Sequence, residues 1–369
     1  MLIILQALVF IRPFISSLAF PYLNSLYSYS IVLFLIIWAL TLDKPYKNIQ
    51  YLGLPLITFC LSLAVSLIFS INKLNSLTGL YDYITYLLLF IVASSLSPKD
   101  RNGVVQAIFI AGFIISLLAI YQYFFGFAHL SDYMAKNNIT YPFALDYISR
   151  RRVFSPFVTP NALGGYLAMI SPLALINKNG FWLILPIFLA LVLTGSLGAI
   201  LSLFLGLVIY MNLKGKSKGR TALGLFGLLI VIGLIFISRS ITLKTHTAPG
   251  FSTLMRMDYW RAALRIIGSR PLTGVGIGNF NLAQARYAHN SYLQIWAEMG
   301  ILGISAYLWL VFRSLRSGLN KLKFNDDKNY TLALITAAAI FLTHNLVDFT
   351  FFLPEVSMIW WIMLGLIIA

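Results

Sequence analysis

Charge is what this sequence of 369 residues has least of. Only 10% of it is Asp, Glu, Lys or Arg, against 59% hydrophobic residues, where a soluble domain carries about a quarter charged residues. So little charge cannot cover a water-facing surface, and the solvent for most of the chain is lipid. A single cysteine, Cys60, lies inside an apolar run, which excludes an intramolecular disulfide and a thiolate metal site. Acidic residues number 11 against 27 Lys and Arg. The net charge of +16 is scattered over short loops and forms no basic domain, so nucleic acid is not an expected partner. Internal repeats, low-complexity tracts and heptads are lacking too.

What is present is a series of apolar windows near the length that spans a bilayer, about 20 residues. Twelve are found, near 2–20, 27–42, 51–71, 77–97, 104–126, 159–176, 180–194, 197–213, 221–238, 290–312, 330–349 and 353–369. Arg12-Pro13 interrupts the first. Thr194-Gly195-Ser196 breaks the short pair near 180–213, which could form one tilted hairpin. The hydrophobic start continues into further spans, so it is read as a first helix and not as a cleaved signal.

Charge then orients the spans. With the N-terminus inside, every cytoplasmic loop carries Lys or Arg, with Lys dominant: Lys44, Lys47, Lys99, Arg101, Lys178, Lys214, Lys216, Lys218, Arg220, Arg313, Arg316, Lys321, Lys323 and Lys328, as the positive-inside rule asks. Two long segments fall outside, 127–158 and 239–289. They hold nine arginines (Arg150, Arg151, Arg152, Arg239, Arg256, Arg261, Arg265, Arg270 and Arg286) against two lysines, Lys136 and Lys244. Arginine presents a planar fork that matches phosphate in a bidentate way, whereas lysine is a point charge. The bias points to an outer site for a phosphate group. The competing account is that these side chains snorkel to lipid headgroups from interfacial helices.

Four motifs could carry chemistry. His289-Asn290 is followed by nine residues, then Gly300-Ile301-Leu302-Gly303. A histidine at a helix N-terminus is held toward its neutral form and can accept a proton from a hydroxyl; the competing reading is a capping histidine. Glu298, on the same span, is an intramembrane acid and a functional or structural hot point. Residues 255–267 carry apolar positions at Met257, Trp260, Leu264 and Ile267, with Arg261 and Arg265 on another face. This is the pattern of an amphipathic helix on the outer leaflet. After Arg270-Pro271 comes Gly274-Val275-Gly276-Ile277-Gly278, which no strand precedes, so it is not a dinucleotide fingerprint. Arg152 leads through Thr159-Pro160-Asn161, with Thr159 as N-cap and Pro160 in the first turn, and such a helix start can seat an anion. His344 and Asp348, four apart, share a helix face and form a structural pair or a support behind the site. The outer loops lack the acidic pair that would grip a divalent metal, and Asp326-Asp327 lies on the cytoplasmic side. No His/Cys cluster suits zinc, so neither metal nor cofactor is expected, and arginine would neutralise the charge.

Together, the Arg152-to-Pro160-Asn161 entry, the Arg256-x-x-x-Trp260 and Pro271-x-x-Gly274-x-Gly276 elements, and His289-Asn290-x9-Gly300-x-x-Gly303 resemble the O-antigen ligase and O-antigen polymerase superfamily. The motifs cover residues 152–303. The resemblance implies an all-α polytopic membrane protein of about 12 spans, similar to GT-C glycosyltransferases. It would have N-terminal spans over 1–126, a first periplasmic loop over 127–158 and central spans over 159–238. A large periplasmic catalytic loop over 239–289 and C-terminal spans over 290–369 would follow. It further implies a metal-independent, inverting transferase of the bacterial inner membrane, with its site on the periplasmic face and both termini cytoplasmic. The partners would be an undecaprenyl-diphosphate glycan donor, a lipid A–core or glycan acceptor, and membrane lipids. Arg152 and Arg256 would bind diphosphate and His289 would activate or orient the acceptor. Arg261 and Arg265 are rivals of Arg256, because Trp260 replaces the leucine that closes the family's motif. Arg151 is the rival of Arg152. Asn161, Trp260, Asn290, Glu298, His344 and Asp348 would support them. Ligase is the first reading and polymerase the second. A flippase or transporter would place ionisable groups near the midplane and repeat its halves, which fits less well.

Overall fold

The computed structural model describes residues 1–41, 50–176, 180–215, 251–281, 286–324 and 327–369, with Gly219, Gly224, Gly227 and Gly233. Apart from Gly224, Gly227 and Gly233, the apolar window at 221–238 lies outside the described residues, as do Arg239, Lys244, Lys44, Lys47, Lys178, Lys216, Lys218, Arg220 and Asp326. The described residues form helices and connections, with no strand among them. We number the helices α1 (Leu2–Ile11), α2 (Pro21–Thr41), α3 (Gly53–Ile68), α4 (Lys73–Ser94), α5 (Pro98–Tyr121), α6 (Phe127–Lys136), α7 (Pro142–Ser149), α8 (Pro160–Ile170), α9 (Gly180–Leu193), α10 (Leu197–Leu213), α11 (Phe251–Ser269), α12 (Ser291–Phe324), α13 (Lys328–His344) and α14 (Pro354–Ile368).

Among the described residues, five helical stretches are long and apolar enough to cross a membrane: Pro21–Trp38, Gln50–Ile68, Lys73–Ser94, Pro98–Lys136 and Ser291–Lys323. Shorter apolar helices run over Leu2–Phe14, Trp182–Leu193, Leu197–Leu213 and Pro354–Ile368. The chain is an all-α, multi-pass membrane protein. Lipid-facing side chains stay apolar, as Leu33, Leu61 and Phe312 show by being 62%, 61% and 58% exposed.

The centre of the bundle is α14. Every residue from Pro354 to Ile368 is buried, and a helix apolar on all sides belongs in a core. Trp360 stacks on Phe341 of α13 with ring centroids 4.4 Å apart, and Gly365 lets α14 approach the backbone of α4 at Phe90. The expected hairpin at 180–213 is two helices joined by Thr194–Ser196, with Gly195 at φ 59°. The first apolar window ends at Ile11, where the sequence placed its interruption. Arg12 is fully buried there, pairing with Glu355 at 3.5 Å and donating to Asn24 Oδ1 at 2.7 Å.

α12 is broken at Gly300, whose φ 67° and ψ −173° are not helical. The carbonyls just before the break turn to a neighbouring segment: Val275 and Gly276 donate to Ala297 and Glu298 at 2.9 Å each, and Ile301 donates to Pro271 at 2.9 Å. The glycine-rich stretch is therefore a packed strap laid across the break. It is fixed from its other side by the corner between α3 and α4, where Ser66 Oγ accepts from Ile277 N at 3.1 Å and Ser76 Oγ donates to Ile277 O at 2.8 Å. A Cβ on Gly300 would lie 2.0 Å from the Leu272 carbonyl oxygen, a backbone atom that cannot swing aside. Gly300→Ala should therefore destabilise the fold by more than the ~1–3 kcal/mol of backbone strain alone. Gly268→Ala, where a Cβ meets nothing, should leave the thermal midpoint in detergent within about 2 °C of wild type, on the ordinary scale of surface changes. Equal midpoints for the two variants would refute the packed-strap account.

Candidate active site

Two residues before the start of α12 at Ser291 stands His289. This residue adopts φ 50°, a left-handed conformation that costs a non-glycine residue something and that histidine tolerates better than most. Its ring stacks on Tyr259 of α11 at 5.6 Å and meets the edge of Phe349 at 4.7 Å. Its carbonyl accepts from Trp260 Nε1 at 3.4 Å. Nδ1 is buried without a hydrogen-bond partner among the described residues. Burial holds the imidazole below its ordinary pKa of 6.5; the nearby Asp348 charge opposes that shift and Arg256 adds to it.

Asn290 caps α12. Its Oδ1 accepts from Tyr292 N and Leu293 N at 3.0 Å each, and its carbonyl accepts from Gln294 N at 3.1 Å. That is an N-cap, so the motif's asparagine starts the helix whose first turn follows His289. Gly303 packs against Met299. Glu298, 2% exposed, is a structural anchor for the strap: its carboxylate accepts from Gly278 N and from Gln294 Nε2, each at 3.0 Å.

α11 presents two faces. Ala263 and Ile267 are buried, and Arg256, Tyr259 and Trp260 are half-buried on the side toward His289. Met257 and Leu264 point outward, 40% and 53% exposed. Arg256 is one turn before Tyr259 and Trp260 and makes no hydrogen bond or ion pair to any described residue; its charge bears on His289. Arg261 is exposed and pairs with Asp258 at 3.1 Å. Arg265 is exposed roughly half a turn around the helix from Arg256. Of these three arginines, Arg256 alone shares the half-buried side with Tyr259 and Trp260, whereas Arg261 and Arg265 are exposed.

Arg152 arrives from the other loop. Its Nε donates to Thr194 O at 2.8 Å, its Nη2 donates to Asn161 Oδ1 at 3.0 Å, and its guanidinium lies over Tyr147, 5.9 Å from the ring centre. Thr159 caps α8 as the sequence predicted, accepting from Ala162 N at 3.1 Å, with Pro160 in the first turn. Arg151 is exposed over Tyr123, and Arg150 pairs with Asp146 at 2.8 Å. Arg270 donates to Phe69 O at 2.9 Å and Arg286 lies over Tyr287. Burial raises the Tyr147 hydroxyl, Arg152 lowers it, and Asp146 and Asp348 raise it further. Asp348 thus bears on both His289 and the Tyr147 that Arg152 faces.

Residues 181–308 match the family model described as O-antigen ligase. The resemblance to the O-antigen ligase and polymerase superfamily is borne out over that stretch. It takes in α11, the strap, His289 and the break at Gly300, whereas Arg152, His344 and Asp348 come from outside it. The search of curated proteins gives no match.

His344 is buried with Nε2 4.0 Å from Asp348 Oδ1. It lies against Gly165 of α8, where a Cβ would come within 2.4 Å of the ring, and near Gly198 of α10. Asp348 Oδ1 accepts from Phe349 N at 2.8 Å, so this pair fixes the segment carrying Phe349. Three buried amides escaped the sequence reading. Gln122 Oε1 accepts from Phe154 N and Ser155 N at 2.8 and 2.9 Å, holding the chain just beyond Arg152. Gln294 accepts from Ala288 N just before His289, and Asn345 accepts from Ser291 just after it. A lone amide in an apolar helix marks such a site, because an amide there without partners would be costly.

The electrostatics give a titration with a defined sign. His289, followed by NMR of the ring, should gain its proton only below the ordinary 6.5. Removing the positive charge in Arg256→Gln should move its titration to higher pH, and removing the negative charge in Asp348→Asn should move it lower. No displacement in either variant would separate His289 from both groups.

Proposed function

We propose that the protein is a ligase-type glycosyltransferase. It moves a glycan from undecaprenyl diphosphate to a sugar hydroxyl of a lipid A–core acceptor, on the periplasmic face of the bacterial inner membrane. The observation that supports this reading is a desolvated His289 stacked on Tyr259 of α11, one turn from the half-buried Arg256 whose charge bears on it, within the segment that matches the ligase family.

The roles follow from charge. The acceptor hydroxyl gives its proton to neutral His289 as its oxygen bonds the anomeric carbon. The bond from that carbon to the phosphate oxygen breaks, and its electron pair leaves with undecaprenyl diphosphate. Attack opposite the leaving group inverts the centre. Arg256 and Arg152 neutralise the charge that grows on the diphosphate, a task that a metal ion performs elsewhere. Asn161 and Tyr147 hold Arg152, and Trp260 holds the His289 backbone. Exposed Met257 and Leu264 keep α11 at the bilayer surface, where the lipid carrier lies. The lysine bias of the other loops supports an orientation with both termini in the cytoplasm.

Purified protein given an undecaprenyl-diphosphate glycan and lipid A–core should transfer glycan in the presence of a chelator. His289→Ala should lower kcat by at least ~100-fold, within the range of a lost general base, and full activity in that variant would sink the assignment. Arg152→Ala and Arg256→Ala should each lower kcat/KM for donor by about 10- to 1,000-fold, as loss of a charge-stabilising donor does, while Lys136→Ala changes little. Equal effects at the three positions would reduce the arginines to headgroup contacts. Omitting the core acceptor should abolish the product; chains that lengthen on the carrier instead would make the protein a polymerase.

A further inference from the structure

The left-handed backbone of His289 has to be held, and the residues that hold it are not its own motif alone. On its N-terminal side, Ala288 N donates to Gln294 Oε1 at 3.1 Å. On its C-terminal side, Ser291 donates twice to Asn345, from N to the carbonyl at 2.9 Å and from Oγ to Oδ1 at 2.7 Å, and its Oγ also reaches Asp348 O at 3.1 Å. Gln294 and Asn345 are each 2% exposed.

Both amides are locked in one orientation by what they already hold. Gln294 Nε2 donates to Glu298 Oε1 at 3.0 Å, so flipping the group would set a donor against the Ala288 N–H and an acceptor against a carboxylate. Asn345 Oδ1 also accepts from Thr350 Oγ1 at 3.2 Å and from Phe351 N at 2.9 Å, while its Nδ2 donates to Phe341 O at 2.9 Å. Asn345 therefore ties the start of α12, the end of α13 and the segment bearing Phe349 to one point. Through Glu298, Gln294 ties the residue before His289 to the strap at Gly278. Satisfied buried networks of this kind specify a single geometry.

We propose that Gln294 and Asn345 are positioning residues of the transferase: a pair of buried amides that clamp the backbone on either side of His289 and hold its ring between Tyr259 and Phe349. The proposal rests on His289 being the base. Neither amide touches substrate; each acts through the placement of the ring, and a displacement of about 1 Å in a reacting group is enough to slow a reaction heavily.

The test uses full-length protein in lipid nanodiscs. Gln294→Leu and Asn345→Leu keep the bulk and remove the hydrogen bonds. Each should lower kcat by about 10- to 100-fold, with donor KM within about twofold because the arginines are untouched. His289, identified by peptide mapping, should react faster with diethyl pyrocarbonate as its ring leaves the sandwich. Asn345→Asp keeps the oxygen that Ser291 and Phe351 reach, and should recover most of the kcat lost in Asn345→Leu. If a leucine variant does not fold, Ser291→Ala carries the test, with the same loss of kcat at constant KM. The clamp is overturned by wild-type kcat and wild-type His289 reactivity in the leucine variants, by a rise in KM at unchanged kcat, or by Asn345→Asp as impaired as Asn345→Leu. If wild-type protein transfers no glycan, the functional reading fails, and the His289 reaction rate alone decides whether the clamp exists.

Discussion

The structure turns on one interruption, the loss of helical geometry at Gly300. A broken helix within a membrane leaves carbonyls without intrahelical donors, and irregular backbone survives there only when protein satisfies it. Here the satisfaction is specific. Ala297 and Glu298 accept from the strap, Ile301 donates to Pro271, and the Glu298 carboxylate reaches over to Gly278. Glycine is required on both sides, with φ 67° at Gly300 and φ between 71° and 101° at Gly274, Gly276 and Gly278. The two glycine motifs, far apart as sequence signatures, are two halves of one joint.

That joint explains where the site lies. The strap is bonded to Ala297 and Glu298, about two turns along α12 from His289. α11, directly before the strap, packs its Ala263 and Ile267 with Phe280, Ala288 and Ala297 in a small core of their own. The helix carrying Arg256 and the residue at position 289 are thus fastened to the same element. An arginine on a free loop would have to be ordered anew for each encounter; one on a helix seated against α12 is already placed.

Much of this was legible in the sequence and some was not. Low charge and long apolar windows gave the membrane class, and boundaries such as Arg12-Pro13, Thr159-Pro160 and the turn at Gly195 were readable because caps, prolines and glycines act locally. Arg256 could be separated from Arg261 and Arg265 only by the structure, since helical spacing gives faces but not which face meets a neighbour. The apolar positions Met257 and Leu264 are exposed, as an amphipathic helix lying against lipid requires. Glu298 read as a hot point and proves to be the anchor of the strap. Gln294 and Asn345 carried only the general signal of an amide in an apolar helix, because their partners come from other segments, as those of Asn345 do from Ser291 and Thr350.

Arg12 extends the same logic to the other end of the chain. Its guanidinium and the Glu355 carboxylate are 1% and 2% exposed and 3.5 Å apart, with Glu355 also accepting from Ser17 N at 3.2 Å. A buried ion pair is weak evidence for stability, since desolvation offsets much of the attraction. Its value is in register: one cation buried beside α14 accepts few partners, so the turn after α1 can dock against the start of α14 in one way. Glu355 lies just beyond the Thr350–Phe352 turn that follows Phe349, and Phe349 stacks on Tyr287 at 4.3 Å and meets His289 at 4.7 Å. Fixing the first turn of α14 fixes the aromatic wall against which the histidine rests. The buried Arg12 near the N-terminus and His289 far along the chain thereby answer to the same helix.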